Sequence, residues 1–495
     1  MAPRLRMKKS GINASPGNSS GECFFIFGSL AKVTFHPTIP PMIPVHRAII
    51  FLTLLLAGCA SYKPMPLSSA AIEKGLAAAD PHQLQVSAQS IKHPLLRPIV
   101  FDDRNGLTPD QAAILAVLAN PSLRAVRDER GLAASQLLQA GILPNPQVSF
   151  GEQYPYGGAI DGAVTASDVG LSWDVTQLIS HDAKVRAARA NADSVDLSIA
   201  WQEWQIAQAA KTAVYDVVSL EAQFALARDL DQHQAQNLSV IRDAVNRHER
   251  TMLDLTAAQD ASLDAHTAVL QAERDLDHQR LMLNKTLGLA PDARVSLNPN
   301  ITLPDHLDVW PAEQILSGLE DRRLDLLALK LGYQNQEQTL RAAVLNQFPR
   351  INIGFDRQRD NTNVQSVGFA VTVDLPIFDR NQGVIAVETA TRQKLFDEYL
   401  DRVFEARFDV YAAIDDLNAI SRQITAEQAA IPSQQLIDTY RDAMDQRNID
   451  VLSYYNAIAN RTQKQLQLLK LKQELMDNQI ALELAAGEYL SASQR

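Results

Sequence analysis

Glycine is scarce in this chain, and in its body Lys and Arg form no cluster. The 495 residues include 21 glycines and 2 cysteines. A formal charge of -11 without a basic cluster in the body of the chain speaks against nucleic acid as a partner, because phosphate binding needs grouped Lys and Arg. Two cysteines, Cys23 and Cys59, give no disulfide framework. There is no GxxxxGK(S/T) phosphate loop, no HExxH and no CxxC. His233, His248, His266 and His278 never fall four apart, and the 8 methionines form no soft-ligand ladder for copper or silver. Adjacent carboxylates such as Asp415 and Asp416 lie on helical stretches, where solvation explains them, and spacing alone identifies no acid–base pair. The expectation is a protein that is not an enzyme, with no metal site and no cofactor.

What is present begins with helix. Asp182 to Val245 contains neither proline nor glycine. At ~1.5 Å per residue, those 64 residues reach on the order of 95 Å. Helices of that length without end signals point to coiled-coil packing. The return arm supplies Leu253, Leu263, Leu270, Leu276, Leu283 and Leu287, close to a heptad drift. A matching arm carries Leu452, Ile458, Leu466, Leu469, Leu475, Ile480 and Leu484.

Near the N-terminus, Arg47 precedes a nine-residue apolar run, Ala48 to Leu56, closed by Leu56-Ala57-Gly58-Cys59. The run is too short to span a bilayer and fits a secretory signal. LAGC resembles the bacterial lipobox, which implies a lipidated (diacylglyceryl and palmitoyl) Cys59. Ala60 rather than Asp after the cysteine favours the outer membrane. A signal should start near Met42, so residues 1–41 read as a mis-assigned upstream segment, disordered or absent in the cell.

The chain also repeats itself. Asn120–Phe150 lies over Arg323–Ile353 at an offset of 203, with Leu123 on Leu326 and Pro146 on Pro349. Val169–Val175 lies over Val367–Val373 at 198; Arg242, Leu253 and Gly288 lie over Arg441, Leu452 and Gly487 at 199. The expected organisation is a signal peptide at 42–58, an irregular lipidated leader at 59–105 along the outside of the body, repeat 1 at 106–288, a Pro- and Asn-rich linker at 289–311, repeat 2 at 312–487 and a tail at 488–495. Each repeat reads as a helical stretch (108–143, 312–346), two strands, and a very long helical region (182–287, 380–486).

The strands alternate in period two: Val148, Phe150 and Tyr154; Val169, Leu171, Trp173 and Val175; Ile351, Ile353 and Phe355; Val367, Phe369, Val371, Val373 and Leu375. Their other faces carry Asp168, Asp174, Arg350, Asp356 and Asp374, which a packed core would reject. An apolar-out, polar-in wall of strands roughly 9–11 residues long is what a membrane barrel needs. Four strands cannot close a water-filled barrel, and open edges are not tolerated in lipid, so the strands must be shared between subunits. Three chains would give twelve strands; other symmetries satisfy the same argument. The fold class is therefore an α+β membrane protein of two repeats, each with two transmembrane strands and long coiled-coil helices.

Leu375-Pro376-Ile377-Phe378-Asp379-Arg380-Asn381-Gln382-Gly383 resembles the strand-to-helix corner of the TolC-like outer-membrane efflux family, and the resemblance covers roughly residues 105–487. Pro376 ends the ladder for want of an N–H, and Asp379 is placed to cap the following helix. Leu287-Gly288 and Ala486-Gly487 match the family's closing glycine, suited to a helix C-cap. Ile431-Pro432 resembles the heavy-metal-efflux branch. The resemblance implies a homotrimer, a 12-stranded β-barrel in the Gram-negative outer membrane continuous with a periplasmic α-helical barrel, and docking to a periplasmic adaptor (membrane fusion protein) that engages an inner-membrane, proton-driven pump. It places adaptor-docking tips at Arg247, His248, Arg250, Arg447 and Asn448, with His248 and Arg447 where the family has glycine and Asn448 suited to a left-handed turn. A tunnel gate falls on Asp445, Asp450, Ser453 and Asn456, although acids are usual where Ser453 and Asn456 stand. The same charged tip residues also read as ordinary solvated helix ends.

Two other readings use the same features: a periplasmic adaptor lipoprotein, which has one hairpin rather than two, and a lipid-anchored coiled-coil scaffold, which leaves the strands unexplained. Cys59→Ala is expected to abolish acylation yet leave the chain in the outer-membrane fraction, because the strands hold the membrane. Its recovery as a soluble protein on fractionation would overturn the four-strand assignment.

Overall fold

The computed structural model describes residues 62–490 apart from 78, 79, 102–104 and 159. The described residues divide into two units at Ile72 and Glu73. The upstream segment, the signal run and Cys59 lie outside the described residues. Within 62–105 the chain forms α1 (Ser69–Leu76) and α2 (Pro81–Gln89). This corrects the expectation of an irregular outer leader. Ala88 and Leu96 are buried in a cluster with Trp201 and Trp204, so that part of the leader is core.

Repeat 1 consists of α3 (Pro109–Ala119), α4 (Ser122–Gly141), β1 (Gln147–Gln153), β2 (Ala166–Asp174), α5 (Gln177–Asn246) and α6 (Met252–Leu287). Repeat 2 has α7 (Ala312–Leu316), α8 (Leu319–Arg322), α9 (Leu324–Leu345), β3 (Arg350–Arg359), β4 (Gln365–Asp374), α10 (Gln382–Ala430), α11 (Gln434–Asp445) and α12 (Val451–Ala486). The 70 residues of α5 make a rod of roughly 105 Å. Its buried face is rich in alanine, which lets neighbouring helices approach closely. The expected single helical stretch at 108–143 breaks at Asn120-Pro121, because proline cannot continue the α3 ladder. Likewise the arm of repeat 2 breaks after Ala430, where Ile431-Pro432 intervenes and Ser433 caps α11 by accepting from Leu436 N–H at 3.2 Å.

The two repeats close their long helices with one device. Gly288 and Gly487 are left-handed (φ 70 and 68), and Leu289 and Glu488 each donate N–H to the carbonyl five residues back, Asn284 and Glu483. The glycines are also needed for space. A Cβ on Gly288 would stand 2.6 Å from the Ala119 carbonyl oxygen, and one on Gly487 2.8 Å from Arg323 Cγ. The crowding residue in each case caps the helix end: Asn120 Nδ2 donates to Thr286 O at 2.9 Å, and Arg323 Nη1 donates to Ala485 O at 3.3 Å. Arg323 is 1% exposed and tolerable there because Asp325 accepts from it at 2.7 Å and also pairs with Arg402. These matched contacts are the structural content of the 203- and 199-residue offsets.

The sheet runs in the order β1-β2-β3-β4, entirely antiparallel, so the hairpins of the two repeats join through β2 and β3. Val175 N–H donates to Ile351 O at 3.1 Å, and Thr176 Oγ1 accepts from Ile351 N–H, stapling that seam where the helices begin. β1 has seven residues, shorter than the expected 9–11.

The hairpin tips use the same closing motif with non-glycine residues. His248 (φ 61) and Arg447 (φ 63) are left-handed, while Glu249 and Asn448 donate N–H to Ala244 O and Ala443 O at 2.8 Å each. A left-handed side-chain-bearing residue costs about 1–2 kcal/mol. Gly487→Ala is therefore expected to lower stability by at least ~1 kcal/mol, whereas Arg447→Gly should raise it by roughly 0.5–1 kcal/mol after glycine's added chain entropy. Thermal unfolding of both variants in detergent measures the opposite signs; a melting point lowered by Arg447→Gly would refute the strain.

Candidate functional site

The sheet and the tips of the two helical hairpins are the candidate sites. The strand register puts Val148, Phe150, Val169, Leu171, Trp173, Ile353, Phe355, Phe369 and Val371 on one face, which turns polar only toward the β-hairpin ends with Glu152, Arg357 and Arg359. No strand residue belongs to a buried apolar cluster; Phe150 is 69% exposed and Phe369 73%. An apolar sheet face with no helix against it excludes a β-sheet packed on its own helices as the reason for the alternation. The opposite face holds Asp168, Asp174, Arg350, Asp356 and Asp374. Gly151 and Gly368 stand directly opposite Asp168 and Asp356, and a Cβ on either glycine would meet those carboxylates. The polar face is thus built to let acids lie across neighbouring strands. Among the described residues no helix is long and apolar enough to cross a membrane.

At the strand-to-helix corner the structure corrects one assignment. Asp379 does not cap the long helix: its Oδ1 accepts from Asn381 N–H at 2.8 Å, a turn that precedes α10. Asn381 itself is the N-cap, left-handed at φ 60, and its Nδ2 donates to Ala343 O at 2.7 Å, tying the corner to the last turn of α9. Arg380 Nε donates to Pro376 O at 3.2 Å, which folds the corner on itself and leaves Phe378 91% exposed. Sequence reasoning missed Asn381, although Asn is the non-glycine residue best suited to that conformation.

The tips converge. Arg250 Nη2 donates to Met444 O, which joins the end of α11 to the start of the α6 arm. Ile241, Ala258, Ile437, Met444, Val451, Tyr454 and Tyr455 form a buried cluster beneath both turns. The adjacent tyrosines carry that cluster and were not singled out from sequence. Arg247 pairs with Glu249 at 3.2 Å, and Arg247, Asp445 and Arg447 line a cavity of about 230 Å³ between the turns. His248, Arg447 and Asn448 are exposed at the extreme ends. The left-handed residue of the second tip is Arg447, not Asn448, which instead supplies the closing N–H.

The expected gate residues separate into different roles. Asp450 caps α12 by accepting from Ser453 N–H at 2.7 Å, and those hydrogen bonds hold its carboxyl below the usual range. At the matching place in repeat 1, 199 residues earlier, Thr251 and Asp254 make a reciprocal capping box with hydroxyl and carboxylate exchanged. Asn456 lines a groove between α5, α6 and α12 together with Asp450, whereas Asp445 faces the cavity between the turns.

A second group of acids sits where the repeats pack, on α5 and α12. Asp216 accepts from Gln279 Nε2 at 2.8 Å and from Gln473 Nε2. Asp477 has a buried Oδ1 with no partner. Burial first, then Asp216 and Glu474, push its carboxyl up to about 7. A carboxyl raised in the fold keeps its full stability below the unfolded value and loses it as pH climbs to the folded one. Asp477→Asn should therefore melt higher than wild type at pH 8 and no differently at pH 4. Equal melting points across that range would overturn this electrostatic account.

No family model matches the chain. The cobalt-zinc-cadmium resistance protein CzcC of Cupriavidus metallidurans is 22% identical over 331 residues, covering 66% of this chain and 77% of that protein. Among solved structures, CusC, described for folding and transmembrane channel formation, superposes with a TM-score of 0.66 at 16% identity over 80% of this chain and 98% of its own. The outer-membrane protein VceC of Vibrio cholerae gives 0.64 at 17% identity, over 77% and 97%. Likeness at these identities establishes the fold.

Proposed function

We propose, for a chain that has the fold of TolC-like outer-membrane channels, that three copies form a duct exporting small solutes, metal cations or drugs, from periplasm to exterior. The observation that carries this reading is the sheet: one uncovered face, apolar but for Glu152, Arg357 and Arg359 toward its hairpin ends, one acidic face, and unpaired edges at β1 and β4. In lipid those edge groups must find partners, and β4 of one copy against β1 of the next supplies them. Twelve strands then close around a polar lumen.

The long helices continue the duct into the periplasm as an α-helical barrel. On α10, Phe396, Leu400, Phe404, Phe408 and Tyr411 make an exposed apolar stripe at spacings of four and three, a seam for a neighbouring subunit. Phe378, Pro376 and Arg380 mark the passage from barrel to tunnel. The paired tips, with Arg247, His248, Arg250, Arg447 and Asn448 at or near the ends, are where a periplasmic adaptor docks, and an inner-membrane pump behind it supplies the energy. In this reading Asp445, Asp450 and Asn456 form the constriction of the duct, with Ser453 acting through the Asp450 cap. Cys59 adds a lipid anchor to a chain already held by its barrel. CzcC carries cobalt, zinc and cadmium resistance in its name, which supports metal cations among the exported solutes.

Phe404 and Phe408 are 70% and 64% exposed in the single chain, so charge there leaves the protomer intact. Phe404→Asp with Phe408→Asp is expected to keep helical circular dichroism while abolishing the detergent-resistant trimer. Wild type is expected to give stepwise single-channel currents in planar bilayers. A monodisperse monomer without conductance would end the duct reading.

A further inference from the structure

The uncovered face of the sheet is not apolar to its end. Along β3 it reads Ile351, Ile353, Phe355, Arg357 and Arg359, so hydrocarbon gives way to two guanidiniums in consecutive rows, ~7 Å apart at the backbone. The change falls at the end away from the helices, since β2 and β4 pass into α5 and α10 at the other. From Leu375 up to Val367, the partner of Arg357, eight residues of ~3.4 Å at a tilt of roughly 40° rise about 21 Å. A membrane barrel carries an apolar band of ~25 Å. Arg357 thus stands near its upper rim, where lipid head groups begin.

Both arginines are positioned by protein oxygens and left without a counter-ion. Arg357 is exposed, and its Nη2 donates to Gln365 Oε1 on β4 at 3.0 Å. Gln365 is level with Arg359, one row nearer the hairpin turn, so this contact draws the guanidinium off the apolar band and toward the rim. Arg359 is half-buried, with Nη2 donating to Thr165 O at 2.9 Å. Among the described residues neither forms an ion pair. The nearby acids are engaged elsewhere. Glu152, on β1, accepts from the Tyr154 hydroxyl, and Asp360 accepts from Thr362 and Val364 N–H at 2.8 and 2.9 Å. Asp168 and Asp356 lie on the other face. Tyr154 and Tyr156, 71% and 100% exposed beside this rim, are residues suited to a membrane–water interface.

We propose that Arg357, with Arg359 adding charge, binds the phosphate of a membrane lipid head group at the outer surface; the proposal rests on the duct reading, which makes the hairpin end the exterior one. A guanidinium presents its N–H donors in a planar fork that matches phosphate, and Gln365 occupies only one of them. The row beneath, Leu171, Phe355 and Phe369, receives the acyl chains of the same lipid. A free phosphate ion gains nothing from that row, so the partner is a lipid and not the ion alone.

The test uses the full-length protein in detergent micelles, stripped of lipid and titrated with the phosphorylated glycolipid lipid A, its dephosphorylated form, or inorganic phosphate; native mass spectrometry counts bound lipid. Lipid A is expected to bind saturably, and the dephosphorylated form at least ten-fold more weakly. Arg357→Gln with Arg359→Gln should weaken lipid A ten-fold or more while helical circular dichroism stays unchanged, and Arg357→Lys should retain part of the binding. Glu152→Gln and chelation of divalent cations should leave it intact. Equal binding of the dephosphorylated lipid, indifference to the double Gln variant, displacement by inorganic phosphate, or loss on chelation would each overturn the site. Conductance of the same sample separates the two ideas: currents with no arginine-dependent lipid binding remove the site alone, and arginine-dependent binding without any current removes the duct.

Discussion

Unpaired peptide groups along β1 and β4 constrain everything else about this molecule. A sheet with an apolar face is at home in lipid only if no N–H or C=O is left over at its sides, since each such group costs several kcal/mol there. Four strands in one chain cannot curl far enough to satisfy themselves. The duct proposal follows from that shortfall, and in it the helices would share the symmetry of the strands, because β2 leads into α5 and β4, through a seven-residue corner, into α10. The stapling of Val175 and Thr176 onto Ile351 fixes how the two arms leave the sheet.

Duplication then explains why the protein is economical in motifs. The same helix ending serves four times, at His248, Gly288, Arg447 and Gly487. At the two positions packed against Asn120 and Arg323 only glycine fits, because the neighbouring backbone or side chain occupies the place of a Cβ. At the exposed tips side chains return despite the conformational strain, a histidine at 248 and an arginine at 447. Strain retained at a surface turn is characteristic of positions used for contact rather than for packing.

The repeats diverge where their surroundings differ. Pro432 breaks one outgoing arm while α5 runs unbroken for 70 residues. The corner after β4 needs seven residues and a left-handed Asn381, whereas β2 passes into α5 almost at once. Thr251 with Asp254 and Asp450 with Ser453 solve one capping problem with exchanged chemistry, which moves a carboxylate from the third helical position to the cap itself.

The sequence alone determined the element types, the duplication and the faces of the strands, because period-two alternation, glycine-free helical runs and repeated offsets are local properties of the chain. Pro121 and Pro432 were equally visible, yet the helix breaks they cause were not anticipated. Tertiary structure alone decided that the leader helps bury Trp201 and Trp204, that Asn381 rather than Asp379 begins α10, and that the tyrosines 454 and 455 join the two tips. It alone brought Asp216 beside Asp477. Those outcomes depend on which side chains meet across hundreds of residues of separation, and no periodicity within one helix records the identity of its distant neighbour.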